Sequence, residues 1–288
     1  MAFSVFGVRI RLHFLFAAII ALGFAAGLYE EVVAALLAIL VHEISHISAA
    51  RAVGIKVEEL ELLPLGGRIN IKGFYQSSRE SEVAVVLAGP AGNLLMAAVF
   101  ISLTYQGLVD YDTANVFVRY QLTLGLFNLL PALPLDGGKI FMLWLSQMVS
   151  FIKAVRMAAR AGKILAFFLW ALFLATALNS GPNLMLLIAG TFLFWAAGQE
   201  EKQAPFMFMS YMAYKKESLI EKGLLPVQAM VAFGKMPVKQ VLFRLNPQSF
   251  HLVYVVDKSY RLKKCLTETE IFDTIIEKGL DIKMEDLL

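Results

Sequence analysis

Two histidines four residues apart bracket an acid in Val41-His42-Glu43-Ile44-Ser45-His46. On a helix, positions i and i+4 share a face, so both imidazoles can reach one tetrahedral Zn²⁺ at ~2.0–2.1 Å. Glu43 stands one position round and can take a proton from water that the ion acidifies to a pKa of ~7. The same five-residue pattern also occurs by chance in soluble helices. Here it sits inside an apolar stretch, where an Asp, Lys or Arg costs roughly 2.5–3.5 kcal/mol on insertion scales and an ionisable residue marks function. The bland alternative is a cluster that hydrogen-bonds one helix to another. The chain has 4 histidines, and half of them are in this motif.

A hydrolytic zinc wants three protein ligands and one open position. Cysteine is excluded as the third, because the single Cys265 lies in a polar tail. His13 stands at the mouth of an apolar run and His251 in a strand-like segment of the tail, places that suit an interfacial or a packed histidine. A carboxylate is offered by Phe127-Asn128-Leu129-Leu130-Pro131-Ala132-Leu133-Pro134-Leu135-Asp136-Gly137-Gly138. Pro131 and Pro134 break a helix there, and Gly137 and Gly138 permit unusual backbone. Irregular backbone at membrane depth is tolerated only where it lines a cavity or is buried in protein. Asp136 is therefore the expected third ligand.

These residues must be carried by membrane helices. With 58% hydrophobic and 17% charged residues, a soluble domain of this length could not hide its apolar side chains. A bilayer core of ~30 Å needs about 20 apolar residues per span, and six candidates stand out: 12–28, 31–53, 82–105, 116–135, 161–178 and 183–199. The first lacks a cleavage site and is expected to be retained. The apolar stretch 138–150 is short and reads as re-entrant or interfacial. Arg51, Lys56, Arg68, Lys72 and Arg79 follow the second span, and Lys139, Lys153, Arg156, Arg160 and Lys163 follow the fourth. The opposite loops carry Glu30, Glu31, Asp110, Asp112, a lone Arg119 and the neutral Asn179-Ser180-Gly181-Pro182, so both termini should be cytoplasmic. From His42 to Arg51, the first cytoplasmic marker, is about 13 Å at 1.5 Å per residue. The metal would lie below the surface, and a polar cavity must bring it water. The net charge is only +3 with no clustered basic block, which sets nucleic-acid binding aside. One cysteine fits a reducing compartment.

The chain is expected to divide into a transmembrane domain over 1–200 that carries the metal motifs, a linker over 201–214 and a small cytoplasmic α/β domain over 215–288. In the last, Phe250 to Val256 reads as a buried strand, Asp257-Lys258-Ser259 as a turn and Arg261 to Cys265 as a second strand. Thr267-Glu268-Thr269-Glu270 is a capping-box pattern that opens a helix, with Gly279 placed to end it.

Together, HEISH in the second span and LPALPLDGG at the close of the fourth resemble the site-2 protease family of intramembrane zinc metalloproteases. The resemblance implies zinc on His42, His46 and Asp136, with Glu43 as general base. Leu62-Leu63-Pro64-Leu65-Gly66-Gly67 looks like the family's hairpin that dips towards the active site, and Ala88-Gly89-Pro90-Ala91-Gly92-Asn93 like the start of its third core helix. Asn128 matches the asparagine before the DG motif and is placed to orient substrate or stabilise an oxyanion; Asn93 carries a weaker version of that role, or packs helices. The tail, through Val253 to Asp257 and Leu266 to Ile271, looks like a CBS domain. That points to the family's CBS-bearing sporulation subclass, with a membrane-tethered sigma-factor precursor as substrate, membrane inhibitors or regulators as partners, and room for a homo-oligomer. Its implied location is the mother-cell membrane around the forespore. ATP or another adenine nucleotide would bind near Thr267 and Glu270, although Glu270 stands where nucleotide-binding CBS domains carry Asp; docking of the substrate's soluble part is the other use for the tail. A zinc transporter or metal sensor is the competing class, and the single site without an internal repeat speaks against it.

Overall fold

A computed structural model describes residues 2–5, 8–12, 14–63, 66–72, 79–179, 181–222, 224, 226–242, 244–245, 249–278 and 282–287. His13, Pro64, Leu65 and Gly279 lie outside them. The chain forms two compact units, Met1–Phe141 with Ala158–Glu200, and Met142–Met157 with Glu201–Leu288.

The first unit begins with strands β1 (Ala2–Val5) and β2 (Val8–Leu12). They join β3 (Lys56–Leu63) and β4 (Gly66–Lys72) in one sheet of order β1-β2-β3-β4. β1/β2 and β3/β4 pair antiparallel, while β2 and β3 run parallel with Arg9 opposite Glu59. The hairpin expected after the HEISH segment is thus present as β3 and β4.

Helix α1 spans Phe14–Ala25, α2 Tyr29–Ala52, α3 Arg79–Tyr105 and α4 Tyr111–Asn128. Helix α5 spans Asp136–Leu145, α6 Phe151–Asn179 and α7 Leu184–Lys222. Among the described residues three helices, α2, α3 and α6, are long and apolar enough to cross a membrane. The other expected spans take different bounds. Leu12 belongs to β2, so α1 starts at Phe14 and closes at Gly27, which has φ 78°. Helix α4 starts early, with Asp110 Oδ1 accepting from Thr113 N at 2.8 Å, and stops at Asn128 because Pro131 and Pro134 cannot continue it. The expected linker 201–214 is helical, since α7 runs on unbroken through Pro205. Most of the basic residues assigned to the loop after the fourth span (Lys153, Arg156, Arg160, Lys163) lie on α6, whose first turns begin at Phe151.

Helices α2, α3 and α4 pack against one another, and small residues let them come close, as membrane helices require. Ala34 and Ala38 of α2 are fully buried. A Cβ at Gly92 of α3 would strike Ser45 Cβ at 2.8 Å, and one at Gly125 of α4 would meet Asn93 Cβ at 3.1 Å. In the irregular stretch 129–135, Ala132, Leu133 and Leu135 are buried in protein as well. Leu133 N donates to Ala158 O at 3.1 Å, Leu135 N to Ala132 O at 2.9 Å, and Ala132 N to Leu130 O at 2.8 Å. Ala132 and Leu135 pack on Ala166, Leu169 and Leu193.

In the second unit, β5 (Val227–Phe233), β6 (Phe250–Val256) and β7 (Leu262–Thr267) form a sheet of order β5-β6-β7. The first pair is parallel and the second antiparallel. Helix α8 (Val238–Leu242) lies between β5 and β6, and α9 (Glu268–Lys278) follows β7. β6 alternates, turning His251, Val253 and Val255 inward against a core that includes Leu266, Ile271 and Met284. The expected strand, turn and helix start are all found. Asp257 Oδ1 accepts from Ser259 N and Arg261 N and closes the turn. β5 has no counterpart in the sequence reading.

Candidate metal centre

His42, Glu43 and His46 are buried on the inward face of α2, 3–6% exposed. Asp136 opens α5, directly after the stretch broken by Pro131 and Pro134, and is 3% exposed. The end of α4 and the start of α5 are drawn together because Gly137 lies against the carbonyls of Leu129 and Leu130, and Gly138 against the backbone of Ala132. No side chain fits at either position, so this sequence of turns needs both glycines.

Three donor atoms converge there. His42 Nε2 lies 3.0 Å from Asp136 Oδ2, His46 Nε2 lies 3.1 Å from the same oxygen, and the two Nε2 atoms are 3.1 Å apart. The far side of each ring is committed: His42 Nδ1 meets Asn93 Oδ1 at 2.7 Å and His46 Nδ1 meets the Val85 carbonyl at 2.7 Å. Both partners are acceptors, so each Nδ1 carries a proton, and the lone pair that each ring can offer a metal is the one at Nε2. Two such lone pairs and a carboxylate oxygen then face one another in a buried site, which is unfavourable unless a cation lies among them. A tetrahedral ion with bonds of ~2.0–2.1 Å sets its ligand atoms ~3.3 Å apart, close to the triangle seen here. The donor set suits zinc, and the bonded Nδ1 atoms are the outer shell that metal-ligating histidines ordinarily have. The same set was found from the sequence, since among the described residues His42, His46 and Asp136 are the grouped side chains able to hold a metal.

The second oxygen of Asp136 is held by Lys139, whose Nζ donates to Oδ1 at 2.9 Å. That leaves Oδ2 alone pointing at the histidines. Space for the rings comes from Gly89 on α3, where a Cβ would come within 2.6 Å of His46 Cε1 and 2.8 Å of His42 Cε1. Neither Lys139 nor Gly89 was assigned a role from the sequence. The signals were present: the lysine stands one turn along from the acid, and the glycine adjoins Pro90 inside an apolar span.

The remaining sequence candidates fall elsewhere. Asn93 is fully buried and bonds His42 through Oδ1, so it faces the back of a ligand. Asn128 Nδ2 donates to Leu124 O of its own helix at 3.0 Å, and among the described residues it makes no hydrogen bond to the donors. His251, fully buried, has Nδ1 at 3.1 Å from Glu268 Oε2 and Nε2 at 3.2 Å from Gln228 Oε1. It is a core histidine of the tail. Thr267 and Glu270 serve one another: Glu270 Oε2 accepts from Thr267 N at 2.7 Å and from its hydroxyl at 2.8 Å, and Thr267 Oγ1 accepts from Glu270 N at 3.3 Å. This reciprocal capping box starts α9 and uses the groups that a ribose would need.

Comparison with known proteins places these elements in context. The model of peptidase family M50 matches residues 31–113 and 111–174. Over 286 residues the chain is 26% identical to stage IV sporulation protein FB of Bacillus subtilis, covering 97% of this chain and 96% of that one. It is 29% identical over 213 residues to a zinc metalloprotease of Methanocaldococcus jannaschii, covering 69% of this chain and 60% of the other. Among solved structures, the site-2 protease from Methanocaldococcus jannaschii superimposes with a TM-score of 0.58 at 26% identity, covering 70% of this chain and 94% of that one.

Proposed function

The chain belongs to peptidase family M50, the site-2 protease family of zinc metalloproteases, and on that premise we propose that it cleaves a membrane-tethered sigma-factor precursor during sporulation. The observation that carries the chemistry is the convergence of His42 Nε2, His46 Nε2 and Asp136 Oδ2, with both Nδ1 atoms already bonded. These three residues would hold the zinc. When bound, it supplies Lewis acidity towards a water molecule and the scissile carbonyl.

The chain's own groups do the rest. Glu43, next to His42 on α2, takes a proton from the attacking water as its oxygen bonds to the carbonyl carbon. The same carboxyl then gives that proton to the amide nitrogen as the C–N bond breaks, leaving a carboxylic acid and an amine, and the acid's proton passes to the amine to give carboxylate and ammonium. Lys139 holds the outer oxygen of Asp136 and keeps that ligand in place. Asn128, at the end of α4, is proposed to meet the substrate backbone once substrate is bound.

The substrate assignment draws its support from the likeness to stage IV sporulation protein FB along almost the whole chain. With it go six membrane crossings, both termini in the cytoplasm and a mother-cell membrane location. The basic residues of α6, among them Lys153, Arg156 and Arg160, and Arg51 in the last turn of α2 favour that orientation. We read the tail over 215–288 as a CBS-like domain. Its β-α-β-β-α order supports this, and so do the partners already taken by Thr267 and Glu270 for a docking role over nucleotide binding. Membrane-bound inhibitors and self-association are further parts of the reading.

The test is co-reconstitution of purified chain and a membrane-tethered sigma-factor precursor in liposomes, with and without ATP. Zinc-dependent cleavage near the membrane face, indifferent to ATP, is expected. Intact precursor with a fully zinc-loaded enzyme would refute the substrate. A large change in rate with ATP would restore the nucleotide role of the tail.

A further inference from the structure

A metal-binding imidazole works only if its proton stays on the other nitrogen, and for His42 that depends on which way one amide faces. Asn93 Oδ1 accepts from His42 Nδ1 at 2.7 Å. If the amide turned over, Nδ2 would face Nδ1 as a donor. The ring would then have to move its proton to Nε2 and lose the lone pair that a metal needs. Asn93 is fully buried, so water cannot correct the choice.

Two acceptors fix it. Asn93 Nδ2 donates to Ala38 O at 2.9 Å and to Gln121 Oε1 at 2.6 Å. The Ala38 carbonyl also lies one turn before His42 and serves as the acceptor of that residue's own helical N–H, so it is a shared partner. Gln121 is the dedicated one. It is itself fully buried on α4. Gly125, one turn along the same helix face, lets Asn93 approach, a Cβ there coming within 3.1 Å of Asn93 Cβ. The other atom of the Gln121 amide, Nε2, is buried with no hydrogen-bond partner among the described residues. A buried donor left open is a cost to folding. A leucine would avoid that cost, so burial alone does not account for glutamine here.

We propose that Gln121 is a positioning residue for metal binding: through Asn93 it locks the tautomer of His42, so that α4 helps set the zinc affinity of ligands carried by α2 and α5. This rests on the reading of His42, His46 and Asp136 as a zinc site. Residues of this kind, one bond behind the ligand shell, typically change metal affinity by about 10–100-fold when altered. The arrangement also gives a role to the fully buried glutamine of α4.

The experiment uses the full chain in detergent. Zinc affinity is measured by competition with a chromophoric chelator at fixed pH, the d–d spectrum is recorded with Co²⁺ in place of zinc, and the thermal midpoint is taken after metal removal. Gln121→Leu should weaken zinc binding about 10–100-fold and shift the Co²⁺ bands, with no loss of metal-free thermal midpoint. Gln121→Glu keeps an acceptor oxygen towards Asn93 in either protonation state and should return affinity to within about 3-fold of wild type. Gln121→Leu with wild-type affinity and spectrum would overturn the proposal. So would weakened binding that tracks a matching fall in metal-free midpoint and is not rescued by Gln121→Glu, because that is the signature of a merely structural residue. A wild-type chain that binds no zinc would instead overturn the metal-site reading beneath it.

Discussion

Adding one methyl group at Gly89 should disrupt the metal site without replacing any of its ligands. A Cβ at that position comes within 2.6 Å of His46 Cε1 and 2.8 Å of His42 Cε1. Ordinary carbon contacts lie at ~3.5–4.0 Å, so α3 or the rings must yield by about 1 Å. Metal–ligand distances tolerate only about ±0.2 Å, and a 1 Å misplacement near the chemistry costs on the order of 10²-fold. The rings have little freedom to give way, because their Nδ1 atoms are tied to Asn93 and to the Val85 carbonyl. Gly89→Ala should therefore lower zinc affinity and cleavage rate each by about 10²-fold or more, with an overpacking penalty of ~1–3 kcal/mol in stability. The assay is chelator competition and liposome cleavage on matched preparations. Gly198→Ala is the control, since a Cβ there meets nothing within 4 Å, and it should behave as wild type. Wild-type zinc affinity and rate in Gly89→Ala would refute the argument that α3 shapes the site.

The ligands and the tail give further tests. His42→Ala, His46→Ala and Asp136→Asn should each lose both bound zinc and cleavage, and stripping wild type with a chelator should abolish activity that returns on adding zinc. In the tail, the Glu270 carboxyl is held below its ordinary value of 4.5 by the Thr267 backbone N–H and then by the Thr267 hydroxyl. A lowered carboxyl contributes stability that is present above its unfolded pKa and is lost as pH falls through its folded one. The Thr267 amide, which donates to that carboxyl, should thus lose exchange protection on acidification below that ordinary value, after correction for intrinsic rates. Glu270→Ala should show little protection at any pH, as mass-resolved hydrogen exchange of the full chain can report.

The residues of the site were legible because each obeys a short-range rule. The i, i+4 histidines declare a shared helix face, and Asp136 follows two prolines and precedes two glycines in a membrane stretch. β6, the Asp257 turn and the Thr267–Glu270 cap were legible for the same reason, each resting on contacts within a few residues. What stayed hidden depends on distant partners. β2 pairs with β3 some fifty positions along the chain, and an apolar run beginning at Leu12 does not reveal which of its residues join a sheet. The continuity of α7 through 201–214 was hidden by the polar run Glu201-Lys202-Gln203 and by Pro205, a residue that ordinarily breaks or kinks a helix. Asn93 and Gln121 could be recognised only as polar groups in apolar spans, which must find partners. Their partnership with each other and with His42 required three helices to be brought together. Gly89 is the same case in space rather than polarity, because what it makes room for lies on another helix.

The central claim is that this chain hydrolyses peptide bonds at a zinc held by His42, His46 and Asp136, with Glu43 moving the proton. Glu43→Gln separates the two parts, because it keeps every ligand and removes only the base. The decisive measurement is zinc content and precursor cleavage on the same reconstituted samples of wild type and this variant. Zinc near one per chain in both, with cleavage in the variant lower by at least ~10²-fold, is the predicted result. A variant that cleaves at the wild-type rate with its zinc in place would contradict the account.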